Sequence, residues 1–284
     1  MSSACSSVTS DPLSVCTFNI LAPCYKRLSS EDDRESDHEQ VWRSRHQSIV
    51  DLLLSLKIDV ICLQEFWLKQ QAFVDLYESR LLSRYSCHYI QRTGDLNDGL
   101  AILIDRTHLT VREQYDLRLY DIGNRVGLLL NVDYHGQCLL IVNVHLTFPH
   151  EEFDQQLRLR QMKEFLRLID EYQTSKNLID RCSILLCGDF NGPSDSDSVY
   201  QLIEQQFLSS FRTVHGREAQ VTHLTHRHEE LGVDFIFYRS NVLTVLSSEL
   251  IPRGCDENKW NDSFDWPLSD HRAILSTFQF NSPS

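Results

Sequence analysis

No C-x-x-C pair occurs among the nine cysteines, which argues against a structural zinc site, and no apolar run approaches the ~20 residues that a membrane span needs. The first fifteen residues are Ser-rich and lack the Arg-rich or apolar pattern of a targeting segment. No linker composition divides the chain, and no internal repeat stands out. Basic charge is also short. The 27 Lys and Arg residues against 40 Asp and Glu leave a net charge of −13, so the surface as a whole repels nucleic acid and anionic membranes. That disfavours a long duplex footprint, while a local basic groove, or bound cations that invert the charge of one site, stay compatible with it. These absences lead us to expect an intracellular protein of the cytoplasm or nucleus.

What is present supports a large core. The 284 residues are 42% hydrophobic, enough for one catalytic domain over residues 13–284 behind a flexible tail at 1–12. Cys16, Cys62, Cys138, Cys182 and Cys187 fall inside apolar runs and read as reduced core residues. Ser29 to Glu39 is rich in Glu, Asp and Ser and reads as a solvated acidic loop.

The most informative run is Gly188-Asp189-Phe190-Asn191, where the apolar segment Cys182 to Cys187 delivers an Asp and an Asn to its end. A strand fixes the backbone and Gly188 permits a sharp turn, so Asp189 and Asn191 can point at one ligand. Further apolar segments end or begin in similar groups: Val15 to Asn19, Val60 to Glu65, Leu139 to Leu146 with Asn143 and His145, and Ser269-Asp270-His271. Gly232 to Phe237 embeds Asp234 in an otherwise apolar strand. A lone buried charge costs several kcal/mol, so Asp234 needs a partner, and His271 is the natural candidate. Glu65, at the end of an apolar strand, offers the hard oxygen that suits Mg²⁺.

Periodicity places helices over Val41 to Lys57, residues 68–83, Phe153 to Tyr172 and near Ser196 to Gln206. Strands are expected at Tyr85 to Arg92, Gly99 to Ile104, Val126 to Val132, Leu139 to Leu146, Gly232 to Tyr238, Val242 to Leu250 and Arg272 to Phe280. Helices mixed with many strands suggest two packed sheets with helices outside.

The ordered series FNI, QE, NVHL, GDFN, VDFIF and SDH resembles the endonuclease/exonuclease/phosphatase superfamily over nearly the whole chain, from about Ser14 to Phe280. FNILAPCYKR, ESD, NRV, HLTFPH and THRHEELGVDFIF resemble in addition a plant branch of calcium-binding members. The EF-hand pattern D-x-[DN]-x-[DN]-G-x₅-E is absent, so calcium sensing is not carried over. The resemblance implies an α/β fold, a four-layered α/β/β/α sandwich of the DNase I-like kind. It also implies a phosphoester hydrolase that uses Mg²⁺, with Mn²⁺ as a substitute.

By the same resemblance Asp189 orients or deprotonates the attacking water, Asn191 holds it, and His145 donates to the phosphate. His271, oriented by Asp234, binds or protonates around the phosphate. Glu65 would serve the metal, with Asn19 beside it as an amide ligand or phosphate donor and Asp270 as a second metal or water ligand. Arg125, Asn143 and Lys26 are substrate-binding candidates, with a surface salt bridge the competing reading of Arg125. His223, His226 and His228 lie in a substrate-side loop or form a metal cluster, and His150 is placed at the cleft mouth.

The run GDFNGPSDSDSVYQLI is similar to the deadenylase form of the motif and points to single-stranded RNA or a small nucleotide as the substrate. The Trp before GD and the PAWCDR-like run of inositol 5-phosphatases are missing. A sphingomyelinase-like lipid hydrolase and a catalytically silent scaffold are the rival readings. The scaffold is disfavoured because every site residue is present.

Overall fold

The computed structural model describes residues 11–149, 153–194, 197–260 and 266–281. The expected tail therefore lies outside the described residues up to residue 10, as does His150. In chain order the elements are β1 (Leu13–Asn19), a 3-10 turn (Glu35–Asp37), α1 (Glu39–Leu56), β2 (Val60–Phe66), α2 (Gln71–Leu81), β3 (Tyr85–Gln91) and β4 (Gly99–Asp105). Then follow β5 (Leu109–Leu119), β6 (Arg125–Tyr134), β7 (Gln137–His145), α3 (Phe153–Ser175), β8 (Ser183–Asp189), α4 (Ser198–Ile203), β9 (Leu208–Ser209) and α5 (Ser210–His215). The chain continues with β10 (His223–Leu224), β11 (Glu230–Leu231), β12 (Asp234–Arg239), β13 (Leu243–Ile251) and β14 (Ala273–Phe280).

Two six-stranded sheets, ordered β13-β14-β1-β2-β4-β3 and β5-β6-β7-β8-β12-β9, stack face to face. Alternation along each strand builds three apolar layers. In β1, Leu13 and Val15 face the second sheet, whereas Cys16 and Phe18 face α1 and α2. In β8, Leu185 and Cys187 point inward, whereas Ile184 and Leu186 pack under α3 and α4. The expected four-layered sandwich is borne out. No helix among the described residues is long and apolar enough to cross a membrane.

The inner-face positions turn polar at one end of both sheets. In β1 the inward series Leu13, Val15 continues to Thr17 and Asn19; in β2, Val60 and Cys62 continue to Gln64; in β7, Leu139 and Ile141 continue to Asn143 and His145. In β8, Leu185 and Cys187 continue to Asp189. Register sets His145 beside Asp189 and Asp189 beside Asp234 across the second sheet. The site is thus a continuation of the core, written in polar residues.

Three readings of the sequence are corrected. Glu35 is no part of a solvated loop: it is fully buried and its carboxylate accepts from Arg45 Nε at 2.8 Å. Cys138 and Cys182 are joined by a disulfide, with their Cα atoms 4.7 Å apart. The reason is register, since they precede Leu139 and Ser183, which pair across parallel β7 and β8. Cys16, Cys62 and Cys187 are free and buried, as expected. Strand β5 was not anticipated, because its polar residues line an exposed edge, nor were the two-residue strands β9, β10 and β11 or helix α5. Of the expected helix near Ser196 to Gln206, the regular part is Ser198–Ile203, and Ser196 lies outside the described residues.

Helix α1 buries Trp42, Arg45, His46, Ile49 and Leu53 on one face. His46 packs edge-on to Phe73 and its Nδ1 lies 2.8 Å from the Tyr77 hydroxyl. Burial first, then the Arg45 charge, push its pKa well below the ordinary 6.5. The folded ring is neutral, whereas the unfolded chain takes up a proton as pH falls below 6.5. Its contribution is therefore present above that pH and is lost on acidification. We predict that stability, read by denaturant unfolding from pH 7 to 5, declines on the acid side. His46→Gln should flatten this limb by up to about 1.4 kcal/mol per pH unit.

Candidate active site

Glu65 reaches the site through a distortion. The β2–β4 register slips between Gln64 and Phe66, leaving Glu65 as an unpaired extra residue with φ of 57°. Strict alternation would turn Glu65 to the helix side with Leu63; the bulge re-aims it and returns Phe66 to the helix-side layer. Such a backbone costs on the order of 1–3 kcal/mol and persists only where the surroundings hold it. The holding contacts are the Ala22 amide, donating to Glu65 Oε2 at 2.9 Å, and Asn19 Nδ2, donating to Oε1 at 3.1 Å.

Asn19 Nδ2 also donates to Asp189 Oδ2 at 3.0 Å, so one amide bridges carboxylates of both sheets. Its Oδ1 accepts from the Leu21 amide at 3.1 Å. One lone pair of this oxygen is thereby used, and the other is left for a cation. At Gly188 (φ 151°) a Cβ would sit 2.0 Å from the Val144 carbonyl oxygen, so glycine lets β8 approach β7 closely enough to seat Asp189. Asn191 also has a positive φ of 53°; its backbone amide donates to Asp189 Oδ1 at 2.9 Å and its side-chain amide to the Leu146 carbonyl at 3.0 Å.

Across from Asp189 the imidazoles gather. His271 Nδ1 lies 2.9 Å from Asp234 Oδ2, the expected carboxylate–imidazole pair, and its Nε2 lies 3.7 Å from Asp189 Oδ2. Burial opposes charge on His271, but Asp234 and Asp189, with Asp270 behind them, outweigh it and raise its pKa to about 10. His145 Nε2 is 3.5 Å from Asp189 Oδ2, yet burial and the charges of Arg125 and Arg92 keep this ring neutral. Asp270 stays ionised: burial works against it, while His223 and His271 hold its carboxyl at about 2. At Glu65, burial and the charges of Asp270 and Asp98 raise the carboxyl to about 7. Burial raises Asp189 too, countered by His271.

The surplus of carboxylate at Glu65 is what a divalent cation would relieve, and hard oxygen donors suit Mg²⁺. Glu65 and Asp270 would hold it. Asp189, Asp234 and His271 also present ligand atoms close enough together for a cation, although His271 Nδ1 is already engaged by Asp234.

Arg125 begins β6 and is buried, with Nε and Nη1 meeting no protein partner among the described residues. Burial and Arg92 lower its pKa to about 10, which leaves it charged at neutral pH, beside Asp98, Asp189 and Glu65. It is no surface salt bridge. Lys26 is part-buried, its Nζ lies 3.3 Å from Glu35 Oε1, and the Asp270 charge also acts on it. The substrate-contact reading is corrected for Asn143. It donates to the Leu63 and Ala101 carbonyls at 2.9 and 3.0 Å and accepts from Gln64 Nε2 at 2.7 Å, tying one sheet to the other beneath the site. Of the His cluster, His223 is buried against His271 while His226 and His228 are exposed.

Arg45 and Thr222 were missed in the sequence. Arg45 donates to the carbonyls of Ile20 at 2.9 Å, Leu21 at 2.7 Å and Leu268 at 2.7 Å, bracing the loops that carry Asn19 and His271. Its signal is a charge at a helical position otherwise shared by apolar residues. Thr222 Oγ1 donates to Asp234 Oδ2 at 2.7 Å, and a Thr ahead of an unassigned short strand carries no comparable signal.

A DNase I-like sandwich with buried carboxylates and imidazoles at one shared edge of its sheets defines the class. The chain belongs to the endonuclease/exonuclease/phosphatase family, whose sequence profile matches residues 16–271. It is 37% identical over 256 residues to an uncharacterized calcium-binding protein of Arabidopsis thaliana, covering 83% of this chain and 52% of that protein. The human Nocturnin catalytic domain, solved with a bound sulfate anion, superposes with a TM-score of 0.72 at 22% identity, covering 95% of this chain and 94% of that one. ANGEL2, described as a 2′,3′-cyclic phosphatase and solved with adenosine-2′,3′-vanadate, gives 0.71 at 20% identity, covering 95% and 96%. The chain spans about half the length of the curated relatives it matches.

Asn143→Ala should lower the unfolding free energy by roughly 3 kcal/mol, because it leaves buried carbonyls and the Gln64 amide without partners. A denaturant titration measures this, and the KM for any phosphate ester should not move.

Proposed function

We propose that this chain is a metal-dependent phosphoester hydrolase that cleaves a phosphodiester of single-stranded RNA or of a small nucleotide by attack of water on phosphorus. The observation that carries the reading is the placement of His271, charged by Asp234, across from Asp189 in a dry cluster beside Glu65. Mg²⁺, with Mn²⁺ as a substitute, would be held by Glu65 and Asp270 and would neutralise phosphate charge. Asp189 takes the proton of the attacking water, its carboxylate kept in place by Asn19 and by the Asn191 amide. His271 donates to a phosphate oxygen as negative charge develops, while Asp234 holds its ring. His145 is a neutral donor to the same oxygens, and Arg125, whose Nε and Nη1 meet no partner among the described residues, clamps the phosphate.

Two features favour a short nucleotidic substrate. The net charge of −13 gives no extended attraction for a duplex. The structural neighbour ANGEL2 holds an adenosine-based vanadate.

The test is cleavage of 5′-labelled oligoadenylate, abasic duplex DNA and sphingomyelin with Mg²⁺, with and without EDTA. Stepwise 3′ shortening of the RNA is expected. EDTA should abolish it, and Asp189→Ala should reduce it by at least about 100-fold while the variant melts as a folded protein. Turnover that survives EDTA, or an Asp189→Ala protein as active as the parent, would overturn the mechanism; cleavage of the lipid alone would reassign the substrate.

A further inference from the structure

Strand β10 is short, but it runs directly along the catalytic edge. His223 bridges to His271 in antiparallel fashion, the Leu224 amide donates to the Asp270 carbonyl at 2.9 Å, and the Arg272 amide donates to the Thr222 carbonyl at 2.7 Å. This backbone zipper sets the His223 ring on the face of His271, with centroids 3.9 Å apart and planes 11° from parallel. His223 Nε2 lies 3.7 Å from Asp270 Oδ2. Phe148 packs edge-on against His223, 6.2 Å between centroids, a second aromatic contact to this ring. His223 is only 4% exposed.

A metal shared by His223, Asp270 and His271 is the competing use of these groups, whose ligand atoms lie within 4.8 Å of one another. The stacking opposes it. Imidazole nitrogens direct their lone pairs in the ring plane, and two nearly parallel planes separated by a stacking distance send those lone pairs side by side. They do not converge on one ion.

We propose that His223 is a positioning residue for the hydrolysis assigned above, and the proposal rests on that reading. The Asp234 contact fixes one edge of His271 but leaves the ring free to swing about that contact. The His223 face removes this freedom, and the same side chain keeps the Asp270 carboxylate at its place beside it. One residue thus sets the orientation of both groups of the SDH motif without itself touching the substrate.

The experiment compares His223→Ala, His223→Phe and His223→Asn with the parent in the full chain. One arm measures turnover of bis(p-nitrophenyl) phosphate with Mg²⁺. The other follows the His271 ring-proton resonance by NMR without substrate, which reads the stacked ring directly and needs no activity. His223→Ala should lower kcat about 10–100-fold with KM unmoved and shift the His271 resonance downfield as the ring current is lost. His223→Phe, which keeps a stacking face but not the contact to Asp270, should hold the His271 resonance well upfield of its position in the Ala variant and recover kcat in part, whereas His223→Asn should resemble Ala at His271. An Ala variant with unchanged kcat and an unmoved resonance would overturn the proposal, as would the same downfield shift of the His271 resonance in the Ala and Phe variants. If the parent hydrolyses nothing, the hydrolase reading fails, while the resonance still decides whether His223 positions His271.

Discussion

The rest of the site depends on one electrostatic constraint: Asp189 and Asp234 are buried between two sheets where water is scarce, with part-buried Glu65 beside them, so each charge must be answered locally. Asp234 is answered by His271 and Thr222, and Asp189 by Asn19, by the Asn191 amide and by the His271 charge. At Glu65 burial, with the charges of Asp270 and Asp98, outweighs the hydrogen bonds from Ala22 and Asn19 and raises its carboxyl to about 7. The same alternation that stacks Val15, Cys62, Ile141 and Cys187 in the core carries Asn19, His145 and Asp189 at its end, and the bulge adds Glu65 to them. Core and site are therefore one construction, and burial that stabilises the first tunes the second.

Two devices hold the arrangement. The bulge at Glu65 departs from the pleat and lets a residue destined for the helix side face the cluster. Arg45, neutralised by Glu35, collects the carbonyls of Ile20, Leu21 and Leu268 and so fixes loops from opposite ends of the chain against each other. Removing either Arg45 or Glu35 alone would leave a buried charge, a far larger loss than the net worth of the pair.

Most of the fold was legible because the strands that form the sheet interiors are apolar on both faces. The motif-bearing residues sit where those runs turn polar, which is also why the pair of Asp234 and His271 could be anticipated from the cost of burying a lone charge. What stayed hidden was set by contacts distant in sequence. The disulfide depends on the parallel register of β7 and β8, and Asn143 reads as a site residue until the facing sheet supplies its partners. The acidic loop was misread, since an acidic run gives no sign that Glu35 is drawn inside by Arg45. β10 is too short for any periodicity, so the role of the His223 stack could not be read from its spacing.

The central claim, that the bulge presents Glu65 to a cation beside the further carboxylate charges of Asp270 and Asp98, is tested most directly by Mn²⁺ titration followed through water-proton relaxation. The parent should bind Mn²⁺ saturably, and Glu65→Gln, which keeps shape and removes charge, should weaken binding by at least about tenfold while remaining folded. Equal Mn²⁺ binding by the parent and Glu65→Gln would contradict the account.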